Sequence, residues 1–167
     1  MTISQLNSLP AAELKEALTK CCGAAKWVNS MMDMFPINNE EDLLKEAHLV
    51  WYDLTEKDWM EAFTHHPKIG DLTLLKEKFA TTAEWAVNEQ KAITVTTPQV
   101  LEAFAESNEL YEEKFGYIFI VQATGKIAEE MLSMLTLRLL NSPKHEIYIA
   151  MEEQNKITQG RLKKLLL

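Results

Sequence analysis

Apolar residues recur along this chain at intervals of three and four, the spacing of a helix that is buried on one face. In the first part of the sequence this pattern predicts helices over residues 10–22, 24–34 and 40–54, with Asn38 or Asn39 as the cap of the third. Thr55 and Asp58 have the spacing of a capping box, which predicts a short helix that ends near Phe63.

The same pattern continues in the second part of the sequence. It predicts helices over residues 72–79, 82–93, 98–115 and 127–140, and a last helix from about residue 143. Thr97 and Gly116 suit the two ends of the longest internal helix, whose apolar positions include Leu101, Phe104, Leu110 and Tyr111. The predicted fold class is therefore an all-α, single-domain compact bundle of several helices.

Residues 117–121 depart from helical spacing. They read Tyr-Ile-Phe-Ile-Val, a β-branched and aromatic run with no second strand evident elsewhere in the sequence. We therefore predict one short buried extended segment that does not belong to a sheet. Its backbone amide groups could then serve a ligand.

Composition restricts the class of partner. The 167 residues carry 25 acidic and 17 basic side chains, a formal charge of −8, which argues against a nucleic-acid surface. The length predicts one domain over residues 1–167. The beginning of the sequence lacks a signal-peptide pattern and no apolar run approaches a membrane span, so we expect a cytoplasmic protein without membrane contact.

Cysteine and histidine spacing gives no metal signature. Cys21 and Cys22 are adjacent, which disfavours a disulfide between them and is typical of reduced thiols. A helical metalloenzyme would have to use the four histidines, which lack the HxxxH and ExxH spacings of helical metal sites; these are His48, His65, His66 and His145. We therefore expect no metal.

Three side chains interrupt the apolar pattern in ways that suggest chemistry. His66 precedes Pro67, which restricts its backbone and places it at or just past a helix end, where the helix dipole favours a charged imidazole and raises its pKa. Glu89 lies on the apolar stripe of its predicted helix. Arg161 lies on the same stripe as Ala150, Gln154 and Ile157. Together they would suit a small anionic ligand.

Each of these side chains also has a structural interpretation. His65 and His66 could simply cap a helix through its free carbonyls. Glu89 could lie at the wet margin of a half-covered helix, and Arg161 could extend its head group to water. A helical ligand-binding or protein-interaction domain without catalysis is the alternative function.

Four strings resemble, in order, the motifs of the OHCU decarboxylase family: His-Pro-Lys-Ile-Gly at 66–70, Glu-Gln at 89–90, residues 115–121, and the stretch from Lys156 to Leu162. These enzymes convert 2-oxo-4-hydroxy-4-carboxy-5-ureidoimidazoline, an intermediate of urate breakdown, to (S)-allantoin without a cofactor. The resemblance implies an all-helical, dimeric lyase of purine metabolism in which His66 and Glu89 are catalytic. It also implies substrate contacts from Pro67, Gln90, Phe119, Ile120 and Arg161.

Two positions differ from the family pattern. Ala86 stands where a serine is frequent, which leaves one substrate hydrogen bond missing or supplied by water. Ile118 stands where proline is common in the extended segment, which affects only local backbone shape.

Overall fold

The computed structural model describes residues 1–70 and 96–167. Within these residues it contains eight helices and no strand, which confirms the all-α fold class. The helices are α1 (Ile3–Asn7), α2 (Ala11–Cys21), α3 (Ala25–Asp33), α4 (Glu40–Tyr52), α5 (Glu56–Phe63), α6 (Pro98–Phe115), α7 (Ala128–Arg138) and α8 (Pro143–Leu165). None of the described helices combines the length and hydrophobicity that crossing a membrane would need.

Two helix ends show the capping residues that the sequence offers for them. Asn39 caps α4 by accepting from the amide of Asp42 at 2.8 Å. Gly116 ends α6 in the left-handed conformation, with φ of 79°. Helix α1 was not predicted, because its five residues are too few to show a helical period. The helices predicted over 72–79 and 82–93 lie outside the described residues.

The chain divides into two compact units. The first comprises residues 1–65 and 154–167, and the second comprises residues 66–153. Helix α8 contributes its first half to the second unit and its second half to the first. The first unit buries apolar side chains from α1 to α5 and from the end of α8, among them Leu6, Leu18, Trp27, Met31, Leu43, Trp51, Phe63 and Leu162.

Helix α6 supplies the second unit with one buried face. Phe104, Tyr111 and Phe115 lie on this face together with the polar side chain of Asn108. Leu101 and Leu110, which fit the apolar pattern, are exposed instead. The inward face therefore follows Phe104, Asn108, Tyr111 and Phe115 at helical spacing, and a polar residue occupies a position that the pattern alone would give to an apolar one.

A buried ionic cluster connects α6, α7 and α8 in this unit. Glu146 is fully buried, and its Oε1 accepts from Nε of Arg138 at 2.6 Å and from the hydroxyl of Tyr111. Asn141 donates to Oε2 of the same carboxylate at 2.8 Å. Burial raises the pKa of the Tyr111 phenol well above its usual value, so it remains a hydrogen-bond donor.

The segment after Gly116 has neither helical nor strand pairing in the structure, and Tyr117, Phe119, Ile120 and Val121 are buried. The predicted single buried segment outside a sheet is thus observed. Arg138 donates to the carbonyl of Ile120 at 2.7 Å, and Glu153 accepts from the amide of Gln122 at 2.7 Å. Side chains of α7 and α8 therefore provide the hydrogen bonds that a neighbouring strand would otherwise supply.

We predict that Glu146→Gln lowers the free energy of unfolding by about 3 kcal/mol, because the Arg138 guanidinium would remain buried without its counter-charge. Urea denaturation followed by circular dichroism measures the change. Glu16→Gln is the control: it removes an exposed ion pair with Lys20 and should leave the midpoint unchanged. Equal midpoints for wild type and Glu146→Gln would contradict a structural role for the cluster.

Candidate active site

His66 lies just past the end of a helix, as the sequence predicts. Helix α5 ends at Phe63, and the amide of Thr64 closes it by donating to the carbonyl of Glu61 at 3.1 Å. His65 donates its own amide to the carbonyl of Ala62 at 3.1 Å. His66 follows half-buried, and Pro67 after it is buried.

Helix α6 holds the residues that follow His66 at two points. The side-chain amide of Asn108 donates to the carbonyl of Ile69 at 3.0 Å. One turn further along the helix, Glu112 accepts from Lys68 at 2.5 Å in a partly exposed ion pair. Residues 66–70, called the histidine corner below, are thus attached to α6 through both a main-chain and a side-chain contact.

Phe119 and Ile120 lie in the buried segment that Arg138 supports. The centroid of the Phe119 ring is 5.5 Å from that of Tyr111, and the Arg138 guanidinium lies 4.6 Å from the Phe119 ring centroid. Among the described residues, no main-chain carbonyl accepts from the amide of Phe119 or Ile120. These two amides could therefore donate to a ligand, and so could those of Ile118 and Val121, which likewise have no main-chain acceptor among the described residues.

Arg161 faces inward in the first unit. Only 5% of it is exposed, and Gln154 and Ile157 on the same stripe of α8 are also buried. Its guanidinium donates to the carbonyl of Lys20 at 3.3 Å. The interpretation in which Arg161 extends its head group to water is therefore wrong.

The end of α2 near Arg161 also carries a buried thiol. Burial raises the pKa of Cys22 to about 12, and the hydroxyl of Thr158 is hydrogen-bonded to it. A thiol with such a pKa stays protonated at neutral pH, so Cys22 is unsuited to act as a nucleophile. Cys21 and Cys22 are both free thiols in the structure.

Gly23, immediately after the two cysteines, lies so close to the side chain of His65 that a residue with a Cβ atom would not fit there. A Cβ atom added to Gly23 would lie 2.2 Å from Cγ and 2.6 Å from Cβ of His65. The backbone at Gly23 and the side chain of His65 are thus in direct contact in the first unit. The chain position immediately before His66 is held by this contact.

The predicted site residues are distributed over both units. His66, Pro67, Phe119 and Ile120 belong to the second unit, and Arg161 belongs to the first. Glu89, Gln90 and Ala86 lie outside the described residues. In residues 1–70 and 96–167, no group of three His, Cys, Asp or Glu side chains is placed to hold a metal ion.

Sequence reasoning missed four residues that support these positions: Gly23, Asn108, Arg138 and Glu146. The signal for Arg138 was present, because it follows Leu135 by three on the buried stripe of α7, as Arg161 follows Ile157 by four. Asn108 lies in the same way between Phe104 and Tyr111. A polar side chain on an apolar stripe therefore also marked Asn108 and Arg138, besides Glu89 and Arg161, the two that the sequence analysis selected on this ground.

The chain is similar to the proteins of one known family. The family model described as OHCU decarboxylase matches residues 7–163. The chain belongs to the OHCU decarboxylase family. A solved structure titled "Crystal structure of OHCU decarboxylase in the presence of (S)-allantoin" is similar over 89% of this chain and 95% of that one, with a TM-score of 0.76 and 34% identity.

Two related proteins differ in how much of their length this chain spans. A uric acid degradation bifunctional protein from Arabidopsis thaliana is 37% identical over 87% of this chain, which spans only 45% of that protein. The 2-oxo-4-hydroxy-4-carboxy-5-ureidoimidazoline decarboxylase of Amia calva is 30% identical over 99% of this chain and 95% of its own length. The chain thus spans less than half of the first relative and nearly all of the second.

We predict that Gly23→Ala destabilises the protein by about 1 to 3 kcal/mol, because the new methyl group and the first atoms of the His65 side chain cannot both be accommodated. Thermal and urea unfolding measure the loss. Gly160→Ala is the matched control, since a Cβ there meets nothing within 4 Å on helix α8, and it should hold or raise stability. A Gly23→Ala variant as stable as wild type would refute the close contact.

Proposed function

We propose that this chain is a cofactor-independent carboxy-lyase that converts 2-oxo-4-hydroxy-4-carboxy-5-ureidoimidazoline to (S)-allantoin in urate degradation. The observation that carries the proposal is membership of the OHCU decarboxylase family over residues 7–163. Two local features agree with it: His66 lies just past the end of α5, and Arg161 is buried on the inward face of α8.

The proposed reaction requires few protein groups and no cofactor. When the bond between the substrate ring and its carboxylate breaks, carbon dioxide leaves and the electron pair is delocalised into the ring. The substrate therefore serves as its own electron sink, and a cofactor such as pyridoxal phosphate is unnecessary. A proton must then bond from one side to the carbon that becomes the stereocentre. The protein has to bind a multiply anionic transition state and direct that proton.

We assign the proton transfer to His66. A histidine titrates near neutral pH, and its position beyond the C-terminal end of α5 favours the protonated ring. Pro67 restricts the backbone from which the ring projects. A positioned acid or base of this kind contributes on the order of a hundred- to ten-thousand-fold in rate.

The remaining assignments concern substrate binding. Arg161 can hold a carboxylate with two parallel hydrogen bonds, a geometry that lysine lacks. The amides of Phe119 and Ile120 can donate to substrate oxygens, and Pro67 can pack against the ring. Glu89 acts as a catalytic acceptor for substrate N–H groups, with Gln90 binding beside it.

We further propose that residues 1–167 act as one OHCU decarboxylase domain, as a homodimer in the cytoplasm. Free thiols at Cys21 and Cys22 suit a reducing compartment. Several large apolar side chains of the second unit are exposed, including Leu137, Leu140 and Tyr148, and could contact a second copy. Light scattering after size exclusion would give a dimer mass, whereas a monomer would refute this part.

A coupled assay tests the activity. Because the substrate is short-lived, it is generated in the cuvette by enzymatic oxidation of urate, and the chirality of the allantoin is followed by circular dichroism. We expect faster formation of a single enantiomer, (S)-allantoin, that is insensitive to chelators. Racemic allantoin at the uncatalysed rate would favour the alternative, a helical ligand-binding or interaction domain without catalysis.

We predict that His66→Asn lowers the turnover number by about a hundredfold or more, because asparagine keeps hydrogen-bonding capacity but cannot transfer the proton. The melting temperature should stay near that of wild type, since His66 is only half-buried. His65→Asn is the neighbouring control and should retain most activity. Near wild-type turnover by His66→Asn would remove His66 from the mechanism.

We predict that Arg161→Lys weakens substrate binding by about 1 to 3 kcal/mol although the charge is retained, because a lysine cannot reproduce the planar two-point contact. The Michaelis constant in the coupled assay and the binding of (S)-allantoin by calorimetry both measure this loss. Lys156→Arg is the control, because it exchanges the same two residue types at an exposed position of the same helix, and it should leave both constants unchanged. Unchanged constants for Arg161→Lys would show that the guanidinium has only a structural role.

A further inference from the structure

Asn108 is a buried amide on the otherwise apolar inward face of α6. Only 5% of it is exposed, and it lies between Phe104 and Tyr111 on the inward face of the helix. A carboxamide in such surroundings costs free energy unless its hydrogen bonds are satisfied. Among residues 1–70 and 96–167 its Oδ1 has no hydrogen-bond partner, whereas its Nδ2 donates to the carbonyl of Ile69.

This half-satisfied state argues against a role in stability alone. A leucine has nearly the same shape and would avoid burying an unpaired oxygen. A leucine could not, however, donate a hydrogen bond to the main-chain carbonyl of Ile69. The specific contribution of Asn108 is therefore this one bond to the histidine corner.

The bond from Asn108 is made to a segment, residues 66–70, whose backbone conformation is restricted. Pro67 fixes its own φ and disfavours the helical conformation at His66, and the side chain of Ile69 is buried. Gly70 follows with φ of +89°, where the chain turns. Holding the Ile69 carbonyl thus restrains the backbone from which the His66 ring projects, three residues earlier.

The helix that carries Asn108 is itself well anchored. Tyr111, one turn further on the same face, donates to buried Glu146, and Arg138 pairs with that carboxylate. The other contact of α6 with the corner, the ion pair of Lys68 with Glu112, is partly exposed and therefore screened by solvent. The buried bond of Asn108 is the better suited of the two to fix a position.

We propose that Asn108 is a positioning residue, whose bond to the Ile69 carbonyl sets the orientation of His66 for proton transfer. This inference rests on the proposed function for its kinetic consequence, but its structural part can be measured separately. A displacement of about 1 Å at a reacting group can cost about a hundredfold in rate while substrate contacts elsewhere persist.

The test compares Asn108→Leu with Asn155→Leu. Asn155 is the matched control because it is also buried, at 8% exposure, and its Nδ2 contacts His48 at 3.1 Å. Its Oδ1, like that of Asn108, has no partner in the part of the chain that the structure describes. We expect Asn108→Leu to lose about a hundredfold in turnover with a nearly unchanged Michaelis constant, and Asn155→Leu to keep both. Equal turnover in the two variants, or a loss confined to the Michaelis constant, would overturn the proposal.

Hydrogen exchange followed by mass spectrometry provides the independent readout. Peptides over residues 64–70 should exchange faster in Asn108→Leu than in wild type and in Asn155→Leu, and unchanged exchange would overturn the inference whatever the activity. If wild type proves inactive, the proposed function fails, while the exchange comparison still decides whether Asn108 holds the corner. Should Asn108→Leu not fold, Asn108→Ser, which is too short to reach Ile69, takes its place with the same expectations.

Discussion

The carboxylate of Glu146 is the buried charge on which the second unit depends. It has no contact with solvent, so it requires the Arg138 guanidinium and the donors of Tyr111 and Asn141 around it. Arg138 in turn supports the carbonyl of Ile120, which belongs to a segment without strand partners. One buried ion pair therefore connects three helices and shapes the segment to which we assign substrate contacts.

Helix α6 has a related role at the histidine corner. Its inward face carries Tyr111, which belongs to the buried cluster, and Asn108, which bonds to the corner. The two segments to which we assign functional residues, the corner and the extended segment, thus contact neighbouring positions of one helix. This arrangement suits the proposed reaction, which needs one fixed proton donor and few other catalytic groups.

Much of the fold follows from local rules that a sequence displays. The stop at Gly116 and the inward stripe through Gln154 and Arg161 depend on neighbouring residues, and both were predicted. The cap of α4 was narrowed to Asn38 or Asn39, and Asn39 is the cap observed. The lack of helical spacing in residues 117–121 likewise identified the extended segment. The corner at His66 was predictable because a proline limits its predecessor whatever the rest of the fold does.

The remaining features depend on contacts between distant residues. Glu146 and Tyr111 are 35 positions apart, and Asn108 and Ile69 are 39 apart, so no local period reveals their bonds. Leu110 fits an apolar pattern yet is exposed, because the elements that pack against α6 determine which of its faces is buried. Gly23 resembles an ordinary helix stop, and only the position of His65 shows why a side chain cannot be placed there.

We propose that the histidine corner presents His66 to the substrate as a fixed acid. A crystal structure of this protein with bound (S)-allantoin would test this assignment. We expect the ligand within hydrogen-bonding distance of the His66 ring, with the bond from Asn108 to Ile69 intact and the amides of Phe119 or Ile120 directed at the ligand. A ligand bound elsewhere, or bound with the His66 ring turned away from it, would refute the assignment.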